Sequence, residues 1–165
     1  MTASEAGQPA VLAPEIDARV RTSIARQTML TTLGVTIERL EPGYCELGLA
    51  SRPELTQQHG FIHAGAITTI ADSACGYAAY TLMPADRDVL TVEFKVNLLS
   101  PARGDRFRAT GEVVRAGRTL TVCSAEVVAW ADNGAGEPEA SLVRVALMQA
   151  TMMAVTAPQG QGGGR

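Results

Sequence analysis

Asp72 is the one formal charge between Leu55 and Ala85, in a run of small and apolar residues introduced by Gln57-Gln58-His59-Gly60-Phe61-Ile62-His63-Ala64-Gly65. Burial disfavours an ionised carboxylate, so a lone one in such surroundings needs hydrogen-bonding partners or a chemical use. Such a carboxylate can serve as base or nucleophile; a hydrolysis would further need a water beside it and donors aimed at the oxygen where negative charge develops. On a helix, Asp72 has Thr68, Thr69, Cys75 and Gly76 as neighbours at three and four residues, with Gly65 and Ala79 a turn beyond. That face of small side chains leaves room for a substrate or for another backbone. The structural alternative is close packing of the helix, with Asp72 merely hydrogen-bonded by a threonine.

Donors for an oxyanion are expected at the start of the same helix, where the first-turn N–H groups of Ala64 and Gly65 lack internal acceptors and the dipole favours negative charge. Ala64 and Asp72 are eight residues apart, about 12 Å along a helix axis. Donors must lie about 3 Å from the oxyanion, so one helix cannot present both groups to one carbonyl. The simplest arrangement places Asp72 of one chain beside the Ala64 amide of a second, with two antiparallel helices about a twofold axis.

The flanking sequence supplies what must hold this helix. Ala13-Pro14-Glu15-Ile16-Asp17 opens a first helix, with proline and acids in its first turn and Ile16, Val20 and Ile24 at helical spacing, running to Leu33-Gly34. Val35–Leu40 and Cys45–Ala50 flank Glu41-Pro42-Gly43-Tyr44, a hairpin with a type II turn. After Pro84, residues 91–98 alternate, placing Val92, Phe94, Val96 and Leu98 on one face and Thr91, Glu93, Lys95 and Asn97 on the other. Arg106–Arg115 and Thr119–Trp130 form a second hairpin around Ala116-Gly117-Arg118, and Ser141–Val155 a last strand after the Asn133-Gly134 loop. The pattern predicts an α+β domain, an antiparallel β-sheet curled round a central buried α-helix.

Composition narrows the function classes. A chain of 165 residues suits a single domain, over 14–156, between a flexible N-terminus, 1–13, and a flexible Gly-rich tail, 157–165. A net charge of −3 gives no long-range attraction for nucleic acid. Phe61–Met83 is long enough to span a bilayer, but it contains His63, Asp72, four Thr/Ser and two Gly, and a central Asp opposes insertion, so no membrane partner is expected. The N-terminus has neither the basic nor the apolar segment of a secretory leader. Cys45, Cys75 and Cys123 are odd in number and lack metal-ligand spacing, which points to a reducing, cytoplasmic setting with neither disulfide framework nor metal.

His63-Ala64-Gly65 followed by Asp72, together with Leu99-Ser100-Pro101-Ala102-Arg103-Gly104-Asp105 and the Gly117-Arg118-Thr119 hairpin, resembles the PaaI-like (phenylacetate-pathway type) acyl-CoA thioesterases of the hotdog fold. The similarity runs from about Leu33 to Met153, leaving out the first helix and the tail. It implies hydrolysis of an acyl-CoA by Asp72 as general base or nucleophile, with coenzyme A as part of the substrate and no separate cofactor. It also implies dimers with shared sites, paired into homotetramers. The N–H after the motif histidine supplies the oxyanion donor in this family; here that residue is Ala64, where Gly is usual, and the donor survives if the local φ/ψ tolerates a Cβ. Gln57 stands where the family often has Asn, an amide that donates to the thioester carbonyl. Thr91 matches a Ser/Thr that orients the water, although simple alternation puts it on the polar face. His63 would orient the loop or polarise the carbonyl, and His59 is structural.

Five of the fourteen basic residues, Arg103, Arg106, Arg108, Arg115 and Arg118, fall within sixteen positions. Guanidinium groups suit phosphate, so Arg118 at the hairpin tip and Arg103 are candidate contacts for the nucleotide end of coenzyme A, against the alternative of a solvated strand face. Phe61, Ile62, Tyr77, Tyr80, Leu82 and Met83 could line an aryl or a medium-chain acyl pocket equally well. Two other hotdog chemistries compete. Dehydratases or hydratases resemble a His with Glu, or Asp with His at other spacings, and this helix offers no Glu. Non-catalytic acyl-thioester-binding proteins are usually fused to a DNA-binding segment, and no helix-turn-helix is recognisable here.

Overall fold

A computed structural model describes residues 11–131 and 142–157. The expectations for residues 1–10, for the Asn133-Gly134 loop, for Ser141 and for the tail after residue 157 lie outside the described residues. The elements run α1 (Pro14–Arg26), α2 (Thr28–Leu33), β1 (Thr36–Glu41), β2 (Tyr44–Ala50), a 3₁₀ turn (Pro53–Leu55), α3 (Ala64–Tyr80), β3 (Arg87–Leu98), β4 (Arg106–Ala116), β5 (Leu120–Trp130) and β6 (Val143–Thr156). The six strands form one sheet in the order β1-β2-β4-β5-β6-β3, and every neighbouring pair is antiparallel. This is the α+β hotdog arrangement expected from the sequence, with α3 held in the curl of the sheet. No helix among the described residues is long and apolar enough to cross a membrane.

Close approach explains the small residues of α3. Ala71, Ala74, Cys75, Ala78 and Ala79 are fully buried, and opposite them β4 carries Gly111. A Cβ at Gly111 would lie 2.3 Å from the carbonyl carbon of Ala74, so the helix backbone rests directly on the strand. Leu47, Phe107, Val127, Ala150 and Met152 complete the inner face around the helix. In the first hairpin Gly43 takes φ +75°, as the type II turn after Pro42 requires. Its N–H donates to the buried Thr81 Oγ1 at 2.7 Å, tying the turn to the end of α3.

The first helix departs from expectation. It breaks at Gln27, which is extended (φ −81°, ψ 98°), and resumes as α2 until the left-handed Gly34. Two arginines bind this segment to the rest. Arg19 donates to the carbonyls of Tyr80, Met83 and Pro84 at 2.8–2.9 Å and lies 4.4 Å from the Tyr80 ring centroid, so α1 closes the C-terminal end of α3. Arg52 does the same for α2 through the Thr32 carbonyl at 2.7 Å.

β3 also departs, in a way that bears on the chemistry. Its alternation is interrupted because the register to β6 slips between Thr91, opposite Met152, and Glu93, opposite Thr151. Val92 is the extra residue, and the bulge re-phases the strand. Thr91 therefore shares the inner face with Phe94, Val96 and Leu98, whose partners Ala150, Met148 and Ala146 are buried beside Met152. The expected polar placement of Thr91 is corrected by that one inserted residue. β3 is an edge strand, so Phe94 and Leu98 stay 43% and 54% exposed despite facing inward.

If the backbone contact at Gly111 sets the helix-to-sheet distance, Gly111→Ala must displace α3 or β4. Chemical denaturation is expected to show a loss of about 3 kcal/mol. An unchanged unfolding midpoint would contradict the contact.

Candidate active site

α3 starts where it does because His63 caps it. The backbone of His63 is extended (φ −60°, ψ 137°) and its Nδ1 accepts the Gly65 N–H at 2.8 Å. The preceding loop is pinned to the sheet end: the Ile62 N–H donates to the Ala102 carbonyl at 3.0 Å and the His63 N–H to the Leu55 carbonyl at 2.8 Å. A tight turn from Gln57 to Phe61, with Gly60 at φ +80°, brings Gln57 back toward the helix start.

Of the two amides expected to serve as donors, Gly65 is therefore engaged by the cap. The Ala64 N–H, at the first helical position, has no acceptor among the described residues. No non-glycine residue among those described has a positive φ, so the Cβ of Ala64, where the family usually has Gly, is accommodated in the helix without strain. The Ala64 amide borders a cleft of about 470 Å³, lined by Gln57, Phe61, Ile67, Leu98 and Val145 among others. The Gln57 side-chain oxygen accepts the His59 N–H, which leaves the donor end of that amide uncommitted among the described residues. Arg103 stands at the rim, its guanidinium 5.1 Å from the Phe61 ring centroid.

Asp72, two turns along α3, faces a different space. Thr91 Oγ1 donates to Asp72 Oδ1 at 2.9 Å and also lies 3.5 Å from Met152 Sδ. Burial pushes the Asp72 carboxyl above the usual carboxylate range, and the Thr91 hydrogen bond opposes that shift only in part. Of its two threonine neighbours on the helix, Thr68 and Thr69, the latter turns its Oγ1 to the Gly65 carbonyl at 2.8 Å. Beside Asp72 is a pocket of about 80 Å³, bounded by Gln27, Ser73, Gly76, Tyr77, Val89 and Thr91. Cys75 is buried and burial holds its thiol far above its ordinary range, so it is no competing nucleophile. Cys45, Cys75 and Cys123 are all free thiols. No group of three or more metal-ligating side chains is found among the described residues.

Within one chain, then, the candidate residues fall into two sets. Gln57, His63, Ala64, Gly65 and Arg103 gather at the end of β3 marked by Leu98; Asp72 and Thr91 meet in its first half, seven residues before Leu98. Arg118 belongs to the second set, since Leu120 beside its hairpin pairs with Met153, which pairs with Leu90. The six residues suggested for one acyl pocket separate: Phe61 and Ile62 line the larger cleft, Tyr77 the smaller pocket, Tyr80 and Met83 are buried in the core, and Leu82 is exposed. Gln27 escaped sequence reasoning altogether. It lies in a stretch read as helix and before the region of family resemblance, and only the break in the helix aims it at Tyr77.

Comparison with known proteins gives three likenesses of this chain beyond a family match. Residues 59–135 match the family described as the Thioesterase superfamily. A crystal structure of a thioesterase family protein from Silicibacter pomeroyi is 50% identical, with a TM-score of 0.79, covering 86% of this chain and 99% of that one. The Escherichia coli medium/long-chain acyl-CoA thioesterase YigI is 26% identical over 110 residues, which is 58% of this chain and 71% of its own length. The PaaI protein of the E. coli phenylacetic acid degradation operon, 18% identical, has the same fold, with a TM-score of 0.74 over 88% of this chain and 96% of that one.

The electrostatics of Asp72 carry a stability consequence. A carboxyl whose folded pKa lies above its unfolded value binds more protons in the folded state, so stability falls as pH rises from the unfolded pKa, about 3.9, through the folded one. Asp72→Asn removes this cost. Thermal melts are expected to show the variant more stable than wild type at pH 7, with the difference shrinking as pH is lowered below 4. A variant less stable at neutral pH would show that the ionised carboxylate supports the fold.

Proposed function

The chain belongs to the thioesterase superfamily and is a thioester hydrolase, and we propose that it cleaves an acyl-CoA to the free acid and coenzyme A at a site built from two chains. The observation that carries this is the separation of the two residue sets. Thr91 and Leu98 stand seven residues apart on β3, roughly 20 Å at about 3.3 Å per residue. Neither set alone offers both a base and a free oxyanion donor.

β3 is an edge of the sheet and leaves Val92 and Phe94 about half exposed, a strand edge that a second copy would cover. Antiparallel pairing of two such edges about a point between Phe94 and Lys95 sets Thr91 of one chain beside Leu98 of the other. Each Asp72 then meets the Ala64 amide of the neighbouring chain, twice by symmetry. The twofold dimer is the minimal active unit, and two dimers associate into the homotetramer that the family resemblance implies. Arg103 and Arg118, at opposite ends within one chain, come to the same site from different chains and hold phosphates of coenzyme A. The three free cysteines suit the reducing cytoplasm.

In this site ionised Asp72, oriented by Thr91, takes a proton from water or attacks the thioester carbon directly. The carbonyl oxygen gains negative charge and receives the Ala64 N–H and the Gln57 amide. His63 acts indirectly, since its cap on Gly65 fixes the direction of the first-turn amides. The C–S bond breaks, coenzyme A leaves as the thiolate, and water supplies the acid's new oxygen.

Two variants separate the roles. Asp72→Asn is expected to lower acyl-CoA turnover by on the order of 10²–10⁴-fold. Ala64→Pro deletes the donor alone, because proline is tolerated at the first helical position and His63 already has the extended backbone that a following proline needs; a loss on the order of 10²–10³-fold is expected. Mixed and allowed to exchange subunits, Asp72→Asn and Ala64→Pro should regain roughly a quarter of wild-type activity, since half of the dimers then hold one intact site of two. No recovery after verified exchange would overturn the shared site.

A further inference from the structure

The pocket beside Asp72 has features that hydrolysis alone does not explain. Gly76 is one of them. A Cβ placed there would meet nothing within 4 Å among the described residues, whereas one at Gly111 would collide with the helix backbone. Packing within the chain thus gives no reason for a glycine inside α3, where it costs helix stability relative to alanine. Its effect is to keep space open one turn from Asp72.

The far side of that space is closed by an element outside the matched family region. The break between α1 and α2 holds Gln27 extended, and its Nε2 donates to the hydroxyl of Tyr77 at 2.7 Å; Ser23 Oγ lies 3.3 Å from the same hydroxyl. Tyr77 is 2% exposed, so its ring is fixed by the core while its hydroxyl anchors the glutamine across the pocket. Between Asp72 and this pair lies the pocket of about 80 Å³, about a sixth of the volume of the cleft on the Ala64 side. In that larger cleft the guanidinium of Arg103 lies against Phe61 of its lining.

A thioester at Asp72 must send its acyl chain one way and its sulfur the other. We infer that the acyl chain enters the small pocket beside Asp72, and that the Gln27–Tyr77 pair is the wall that limits its length, with Gly76 setting the width. The larger cleft, open and edged by a guanidinium, takes the pantetheine arm. The assignment rests on Asp72 being the catalytic group and adds a specificity-determining residue contributed by the N-terminal helices.

The test is kcat/KM for acetyl-, butanoyl-, hexanoyl- and octanoyl-CoA with wild type, Gln27→Ala, Tyr77→Phe, Gly76→Ala and Asp72→Asn. Wild type is expected to favour butanoyl over octanoyl by at least about tenfold. Gln27→Ala should raise the octanoyl-to-butanoyl ratio by about tenfold, and Tyr77→Phe, which keeps the ring and removes only the tether, should move it in the same direction. Gly76→Ala should lower the hexanoyl-to-acetyl ratio. Substitutions that scale all chain lengths equally, or a wild type that prefers octanoyl, would overturn the wall. Asp72→Asn keeps the two claims apart: if it turns over like wild type the catalytic assignment fails, and if it is inactive while the ratios stay fixed only the acyl wall fails.

Discussion

The proposed chemistry depends on one carboxylate that has to ionise while partly withdrawn from water. Among the described residues Asp72 gains one hydrogen bond, from Thr91, against a desolvation that raises its pKa. That bond joins α3 to the edge strand of the sheet, and it exists because the bulge at Val92 turns Thr91 inward. A carboxyl in this position is a poor structural group and a good base, since a raised pKa strengthens it toward the proton of water.

The fold supplies the rigidity this requires. α3 touches the sheet backbone at Gly111, is capped by the His63 ring at one end, and is closed by Arg19 across three carbonyls at the other. With both ends and one side fixed, the distance between the Ala64 amide and Asp72 cannot adjust to bring them to one carbonyl in the same chain. The geometry that makes the helix stable also holds the two candidate groups at separate places along it, which is why the proposed mechanism draws on two chains.

Much of this was legible in the residues. The isolated Asp72, the small face of its helix, the hairpin turns and the incompatibility of an eight-residue spacing with a single carbonyl all follow from types and positions. Three features were not. Alternation over residues 91–98 looks regular in sequence, but the inserted Val92 is visible only through pairing with Met152 and Thr151. Helical periodicity runs through Gln27 without a glycine or proline to mark the break, and the tertiary bond to Tyr77 that accompanies it leaves no trace in the sequence. The six apolar residues near α3 look alike by composition, and only packing sends Tyr80 into the core, Leu82 to solvent and Phe61 to the cleft.

The central claim is that the base and the oxyanion donor of each site come from different chains. A crystal structure of the protein with a ketone analogue of an acyl-CoA, in which a methylene replaces the sulfur, measures this directly. The ketone oxygen is expected about 3 Å from the Ala64 nitrogen of one protomer, with its carbonyl carbon facing Asp72 of the partner. A ketone held by Ala64 and Asp72 of the same protomer, or bound away from both, would contradict it.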